Sequence, residues 1–527
     1  MSHTFVTAFA RHAADRPSAP ALIWEGRAVG YAELHAMARR ARAQVAAAAP
    51  DTSRPVGLRV RKSPEAVALV LGALMAGRRF LLPSHELPDT PAKELYQQAG
   101  CEVVLGLTDD PLVDRVVDPH AAAGNTTGPP RPADASAAAP GTAPVASSVP
   151  APGTVPVASS VPAPVDDEAI GFMLTTSGST GLPKIVPLSF GAVTRFTAWG
   201  AETFGITAGT TVLNYAPLNF DLCLLDVWTT LAYGGTVVLA DPDRGASPGY
   251  LRDLVADHRV QVIQGVPLLF QLLVEASAGE GPLEAPEHLV FAGDSMPARV
   301  LAGLSTVFPR ARWYNNYGCT ETNNSFLYEV PRDRPVRTPL PIGHPLPGVS
   351  WLISGEDGRT LTGPGQGELL VNTPFQTSGY VNVPSDGKFG PHPDGVPGLV
   401  YYRSGDIATR HEDGSLSVLG RTDFMVKVRG FQVSTQQVEA ILLEHPAVLE
   451  AAVVAVPDPV AGHRLHARLR LVEPGCVGVL ALRQYCAERT VRAAIPGVIE
   501  TVAEPLPRTS TGKVDRNRVR DSVLERP

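Results

Sequence analysis

The sequence predicts an α/β protein: a large N-terminal domain of α/β subdomains plus a β-rich subdomain, then a small mobile α+β domain at the C-terminus. Three observations carry this. Strand-like and helix-like segments alternate up to about residue 350, as layered α/β folds require. Short strands and turns replace them between about 350 and 420, and helix and strand signals mix beyond that. A chain of 527 residues also exceeds one ordinary core, so at least two domains are expected.

The elements follow in order. "SPEAVALVLGALMAG" (63–77) reads as a helix with small-residue faces, and "CEVVLGL" (101–107) as a short strand. From 121 to 165 the chain turns to Ala, Pro, Ser, Thr and Val, with "APGTAPVASSVP" followed at once by "APGTVPVASSVP". So Pro-rich a segment can neither form a helix nor pair as a central strand, and it has little to bury, so a disordered insert is expected. The apolar run "AIGFML" (169–174) then leads into "LTTSGSTGLPKIV" (174–186), which is followed by helix-like "LSFGAVTRFTAWG" (188–200). "TVVLADP", "VQVIQGVP" and "EHLVFAGDSMP" read as buried strands ending in loops, and ligands gather at such strand ends. "GVSWLISGEDGRTLTGPGQGELLVN" (348–372) and "HEDGSLSVLG" (411–420) give the β-rich part. "STQQVEAILLEH" (434–445) reads as helix and "VLEAAVVAVPD" (448–458) as strand, before another helix and a basic, turn-rich tail. The expected boundaries are 1–422 and 423–527.

Composition narrows the function classes. A net charge of −7 without a basic block argues against nucleic acid as the main partner. The five scattered cysteines form no C-x-x-C pair, so neither a zinc site nor a disulfide framework is indicated. No signal peptide and no run near the ~20 apolar residues of a membrane span is evident, so a cytoplasmic location is expected.

The donor-rich stretch at 174–186 is built either to hold a polyanion or as an ordinary linker. It is not a Walker loop, because Lys184 follows Leu182 and Pro183 and the spacing of G-x-x-x-x-G-K-[ST] is absent. Further motifs decide between the two. "TSGSTGLPK" (176–184), "NNYGCTETN" (315–323), "YYRSGDIA" (401–408), "GRTDFMVKVRGFQV" (420–433) and "LPRTSTGKVDR" (506–516) occur in this order. Together they resemble the signatures of the adenylate-forming superfamily: acyl-CoA synthetases, luciferases and the amino-acid-activating domains of nonribosomal peptide synthetases. The resemblance covers nearly the whole chain outside the insert.

The resemblance implies two reactions. ATP and a carboxylic acid give an acyl-adenylate, and a thiol then displaces AMP. It implies that Thr176, Ser177, Gly178, Ser179, Thr180 and Gly181 hold the β- and γ-phosphates, with Lys184 supporting the loop. Glu321 would ligate Mg²⁺, Thr320 would contact the α-phosphate, and Asn316 and Tyr317 would line the adenine site. Asp406 would accept from the ribose hydroxyls, assisted by Arg421. Lys513 would stabilise charge in the adenylation transition state. Asp423 matches the hinge position and Gly430 the glycine beside the thiol tunnel.

"LNFDLCLLDVW" (218–228) resembles the amino-acid-activating branch, in which the residue matching Asp221 pairs with an α-ammonium. A buried carboxylate without a partner is costly, so an amino-acid substrate suits Asp221 better than a fatty acid. The family register then puts Leu222, Leu225, Gln264, Val290, Ala292, Asn316, Asn324 and Ser325 around the side chain. These polar groups favour a compact polar amino acid. The wording around Asp221 and Glu321 also resembles stand-alone prolyl-activating enzymes, which keeps proline as a candidate. Cys319 stands where the family has proline. With few residues after Lys513 and no condensation motif, a separate phosphopantetheinylated carrier protein is the expected acceptor, in peptide natural-product biosynthesis. The alternatives are an acyl- or aryl-acid CoA ligase and a catalytically silent relative.

Overall fold

The computed structural model describes residues 5–108, 110–120, 167–176, 182–334, 336, 339–355, 357–385, 387–428, 431–458, 462–509 and 512–525. The insert at 121–165, the loop residues Ser177, Gly178, Ser179, Thr180 and Gly181, and Gly430 lie outside them.

The expected α/β class is observed. Two sheets dominate the first part of the chain. One has six strands, in the order Arg115–Val116, Val104–Gly106, Val56–Arg59, Phe80–Leu81, Ile170–Thr176 and Lys184–Ser189. The other has nine. Its centre is the parallel set Pro20–Trp24, Thr236–Leu239, Thr211–Asn214, Val262–Gly265, His288–Ala292 and Arg312–Cys319. All but the last are rich in Val, Leu or Ile because parallel strands are covered on both faces; Arg312–Cys319, which pairs antiparallel on its other side, has none of the three.

One apolar core joins the two sheets. Phe172 of the six-stranded sheet stands at its centre, with ring centroids 5.7 Å from Phe5, 5.0 Å from Phe80 and 5.8 Å from Trp228. Helix Pro64–Met75, capped by the Ser63 hydroxyl, lies inside this core, which explains its small residues. A Cβ on Gly72 would come 2.7 Å from the Ala41 Cβ of helix Tyr31–Ala48, so only glycine allows this helix crossing.

The β-rich part is a five-stranded sheet built on the long strand Tyr401–Arg410. Its partner Leu416–Arg421 places Arg421 opposite Asp406. Beyond it, Val448–Asp458, Gly462–Leu471 and Val498–Val502 form a three-stranded sheet, covered by helices Thr435–Leu443 and Val479–Ala487 around a separate core.

Two expectations change. The loop at 177–181 was expected to lead from a strand to a helix; it joins two antiparallel strands, and the helix starts only at Phe190. Lys184–Ser189 is the sheet's edge, where Pro187 costs no ladder hydrogen bond. The turn-rich tail also contains a helix, Arg516–Leu524, nucleated by the Asp515 cap, which accepts from Arg518 N–H at 3.1 Å.

That helix is tied down by charge. Arg516 donates through Nε to both oxygens of buried Glu439, at 2.9 and 3.1 Å, and through a terminal nitrogen at 2.5 Å. Val453 N–H adds a bond of 2.8 Å. Burial pushes the Glu439 carboxyl up, and the Arg516 charge opposes it. Arg516→Ala strands a buried carboxylate and is expected to cost about 3–5 kcal/mol. The double variant Glu439→Leu/Arg516→Met should lose distinctly less in the same chemical-denaturation measurement of the C-terminal transition.

Candidate active site

The site begins with a tight turn. Phe220 N–H donates to Pro217 O at 3.0 Å and Cys223 N–H to Phe220 O at 3.0 Å, which projects Asp221 from the start of a π-helix, Leu224–Thr229. The wide turn is held partly by the Thr229 hydroxyl, which donates to Leu224 O five residues back at 2.7 Å. The Asp221 carboxylate accepts from the Thr320 hydroxyl and from Leu222 N–H. Burial raises its pKa; these hydrogen bonds and the Lys513 charge oppose the rise, while nearby Glu321 adds to it.

Lys513 reaches this site from a pinned loop. Thr509 N–H donates to Lys513 O at 2.8 Å and Arg508 donates to Gly512 O at 2.8 Å. Buried Glu450 holds Arg508 and accepts from Leu506 N–H at 3.0 Å. The Lys513 side chain passes over Gly293: a Cβ there would lie 3.3 Å from Lys513 Cε, and the φ of +84° itself favours glycine. Its ammonium stands 6.0 Å from the centroid of the Phe220 ring and acts on both Asp221 and Asp406.

Strand register collects the expected pocket residues. Gln264 is paired with Val290, and Ala292 with Asn316, while Val290 and Ala292 alternate onto one face. Leu222 and Leu225 belong to the segment packed over that face, where Gln264 Nε2 donates to Leu222 O at 3.0 Å. A bulge at Tyr317/Gly318 sets Asn324 opposite Gly318 and leaves Ser325 as the extra residue. Asn316 Oδ1 and Asn324 Nδ2 are buried with no partner among the described residues. The Ser325 hydroxyl is turned to Thr322, at 3.3 Å, so it is engaged within its own turn.

The nucleotide-side residues form a second group. Tyr317 O–H donates to Asp406 Oδ2 at 2.5 Å, and Arg421 donates to Asp406 Oδ1 at 3.2 Å and to Asp423 at 3.1 Å. Burial raises the Asp406 pKa against the Arg421 charge. Burial also works against the Arg421 charge, but Asp406 and Asp423 outweigh it and raise that group. Thr176 is the strand partner of Lys184, so the two flank the loop at 177–181. Lys184 Nζ lies 4.8 Å from the centroid of the Tyr380 ring, and Tyr380 O–H donates to Glu321 Oε1 at 2.8 Å.

Among the described residues no group of three or more His, Cys, Asp or Glu could hold a metal by itself. Glu321 is nonetheless buried without an ion-pair partner among the described residues, which fits a hard cation shared with ligand oxygens.

Sequence reasoning missed Tyr380, Lys62, Asn214 and Asp226. Asp226 is fully buried; burial pushes its pKa well up, against hydrogen bonds from Asn214 and Gln264. Lys62 donates to Asn214 O and Tyr215 O at 3.3 and 3.0 Å, and burial lowers it to about 8. The signal for Asp226 was the second carboxylate of "FDLCLLD", set in an otherwise apolar run.

Comparison with known proteins agrees with this geometry. The AMP-binding enzyme family matches residues 9–381, and the AMP-binding enzyme C-terminal domain matches residues 437–513. An L-proline--[L-prolyl-carrier protein] ligase of Pseudomonas fluorescens is 33% identical over 362 residues, which are 67% of this chain and 68% of that protein. A D-alanine--D-alanyl carrier protein ligase of Bacillus cereus is 26% identical over 97% of this chain and 98% of its own length. In fold the chain is similar to o-succinylbenzoate CoA synthetase of Bacillus subtilis, with a TM-score of 0.77 and 23% identity over 98% of both chains. The chain belongs to the AMP-binding enzymes and is an adenylate-forming ligase that uses ATP.

Proposed function

We propose that this enzyme activates an amino acid as its aminoacyl-adenylate and passes it to the phosphopantetheine thiol of a separate carrier protein, in peptide natural-product biosynthesis. The observation that carries the reading is that the Lys513 ammonium stands 6.0 Å from the ring centroid of Phe220, the neighbour of Asp221, where its charge favours the ionised Asp221 carboxylate. A carboxylate and an ammonium so placed match the two charged ends of an amino acid. Similarity to proline and D-alanine carrier-protein ligases supports the same reading. The proposed substrate is a compact polar amino acid or proline, and the proposed location is the cytoplasm.

In this reading Asp221 pairs with the α-ammonium and holds the amino acid in one orientation. Its carboxylate is thereby aimed at the α-phosphorus of ATP, two anions that repel each other. Lys513 offsets that repulsion and stabilises the charge that builds as the carboxylate attacks and pyrophosphate leaves. Thr320 keeps Asp221 oriented. Asp406, fixed by Tyr317 and Arg421, accepts from the ribose hydroxyls. Glu321 would hold Mg²⁺, which neutralises phosphate charge when bound. Lys184 and residues 176–181 would hold the outer phosphates. The boundary between the two moving parts is proposed at 422/423, with Asp423 as the hinge.

The test is amino-acid-dependent ATP–pyrophosphate exchange across proline, serine, threonine, asparagine, glutamine, alanine, β-amino acids and simple aryl acids. Exchange with an amino acid is expected, and Lys513→Ala should reduce it on the order of 100-fold. Exchange only with acids lacking an amine would replace this reading by an acyl- or aryl-acid CoA ligase. A pH profile gives a second check. Only ionised Asp221 can pair with the ammonium, and its pKa is raised. The KM for the amino acid should therefore climb as pH falls through a carboxyl pKa above the ordinary range. Asp221→Asn should raise KM on the order of 100-fold and flatten that profile.

A further inference from the structure

We propose that Asp226 is a positioning residue that fixes the Gln264 amide with its carbonyl toward the substrate side chain, so that the pocket selects a side chain carrying an O–H or N–H donor. The proposal rests on the site being an amino-acid pocket. It deepens that reading by naming the chemistry of the side chain.

Gln264 belongs to the pocket face with Val290, Ala292 and Asn316. An amide has two N–H donors, both on Nε2, and one acceptor oxygen. Both donors of Gln264 are spent: Nε2 lies 3.0 Å from Leu222 O and 2.9 Å from Asp226 Oδ1. What remains for a ligand is Oε1, an acceptor. Asn316 Oδ1, buried without a partner, is a second acceptor on the same face. An acceptor that meets an apolar group loses its hydrogen bonds to water and gains none, so a donor-bearing side chain is favoured. Asn324 Nδ2, buried and likewise unpartnered among the described residues, is a donor on the neighbouring strand, and a hydroxyl, which both donates and accepts, suits it as well.

Asp226 does not belong to the pocket face itself. It is fully buried, and its other oxygen is 3.4 Å from Asn214 Nδ2. Asn214 and Tyr215 carbonyls in turn hold the buried Lys62 ammonium, whose charge acts on Asp226. Asp226 is thus anchored from behind and acts through Gln264 alone. The π-helix delivers it there: one residue more per turn rotates a side chain by about 100° from its α-helical direction. The same clamp, through Leu222, fixes the residue next to Asp221.

The experiment measures exchange kinetics on near-isosteric pairs: serine and alanine, threonine and valine, 4-hydroxyproline and proline. The wild-type enzyme should favour the donor-bearing member of its best pair by about 10-fold or more in kcat/KM. Asp226→Leu leaves one Nε2 N–H unpaired and Leu222 O as the remaining anchor of the Gln264 amide, so the carbonyl is less firmly aimed and the ratio should fall to within about 3-fold. Its KM for the amino acid should rise about 10-fold, with KM for ATP changed by less than about 2-fold. Asp226→Asn keeps an acceptor for Nε2 and should retain the preference. In a Gln264→Leu background Asp226→Leu should add nothing. A preference that survives Asp226→Leu, or that is lost equally in Asp226→Asn, overturns the role of Asp226. A wild-type preference for the donor-free member of every pair overturns the acceptor. Should Asp226→Leu fail to fold, Gln264→Leu decides: it must erase the preference, and a preference kept there overturns the proposal. Wild-type silence with every amine-bearing acid removes the amino-acid reading and this proposal together, whereas active wild-type enzyme with an unchanged ratio in Asp226→Leu removes only the proposal.

Discussion

Three carboxylates, Asp221, Glu321 and Asp406, are held around one site, Glu321 raising the pKa of Asp221, and local hydrogen bonds keep them there. Each is anchored by a hydroxyl: Thr320 on Asp221, Tyr380 on Glu321 and Tyr317 on Asp406. Neutral donors hold a carboxylate in place without cancelling its charge, so the negative potential stays available to cationic partners. Arg421 answers Asp406 directly, whereas Lys513 is shared between Asp221 and Asp406. Lys513, from the far end of the chain, thus brings its ammonium to a place that the rest of the chain has made negative.

The fold brings these groups together through strand ends. Parallel strands of the nine-stranded sheet finish at Asn214, Gly265 and Ala292, and the bulged pair 312–319 and 323–330 carries Tyr317, Thr320 and Glu321 beside them. Backbone hydrogen bonds in such a sheet are already satisfied, so side chains at its ends can serve a ligand without loss to the ladder. The bulge matters as much as the sheet. It breaks strict alternation, and so Asn324 and Ser325 leave the strand at neighbouring positions, one with an amide still unpartnered and the other turned to Thr322.

Much of this was legible in the sequence because the chemistry lies in short contiguous motifs. Lys513, Glu321, Asp406 and Asp221 were picked out by motifs that resemble those of the adenylate-forming superfamily, and the alternation of apolar runs was enough for the α/β class. The failures share a different cause. Lys184–Ser189 was not expected as a strand, and its edge position is what permits Pro187. The helix at 516–524 was hidden by its polar composition: among its residues only Val519 is buried, and Asp515 together with the Glu439–Arg516 pair holds it in place. Asp226 was overlooked because its partners, Asn214 and Gln264, are distant in sequence and a π-turn decides where it points. The bond from the Ser325 hydroxyl to Thr322 was not legible, since side-chain polarity is visible in a sequence and its hydrogen-bond partner is not.

The anchoring of Lys513 has a further consequence for how charge is delivered. Its loop is bound by Glu450 and Arg508, and the following helix by Glu439 and Arg516, all within the C-terminal part of the chain. Against the N-terminal part, Lys513 itself has the Gly293 backbone beneath its side chain, the Phe220 ring and the field of the carboxylates. Buried ion pairs thus lie on the C-terminal side of Lys513, and a backbone surface, a ring and a field on the other. Buried pairs with good geometry are costly to break, while a charge resting in a field is held by an interaction that changes as ligand charges change. Should Lys513 serve the adenylation proposed above, its hold on the site would follow the charge of the ligand, because the fold has placed its ion pairs behind the lysine and not around its ammonium.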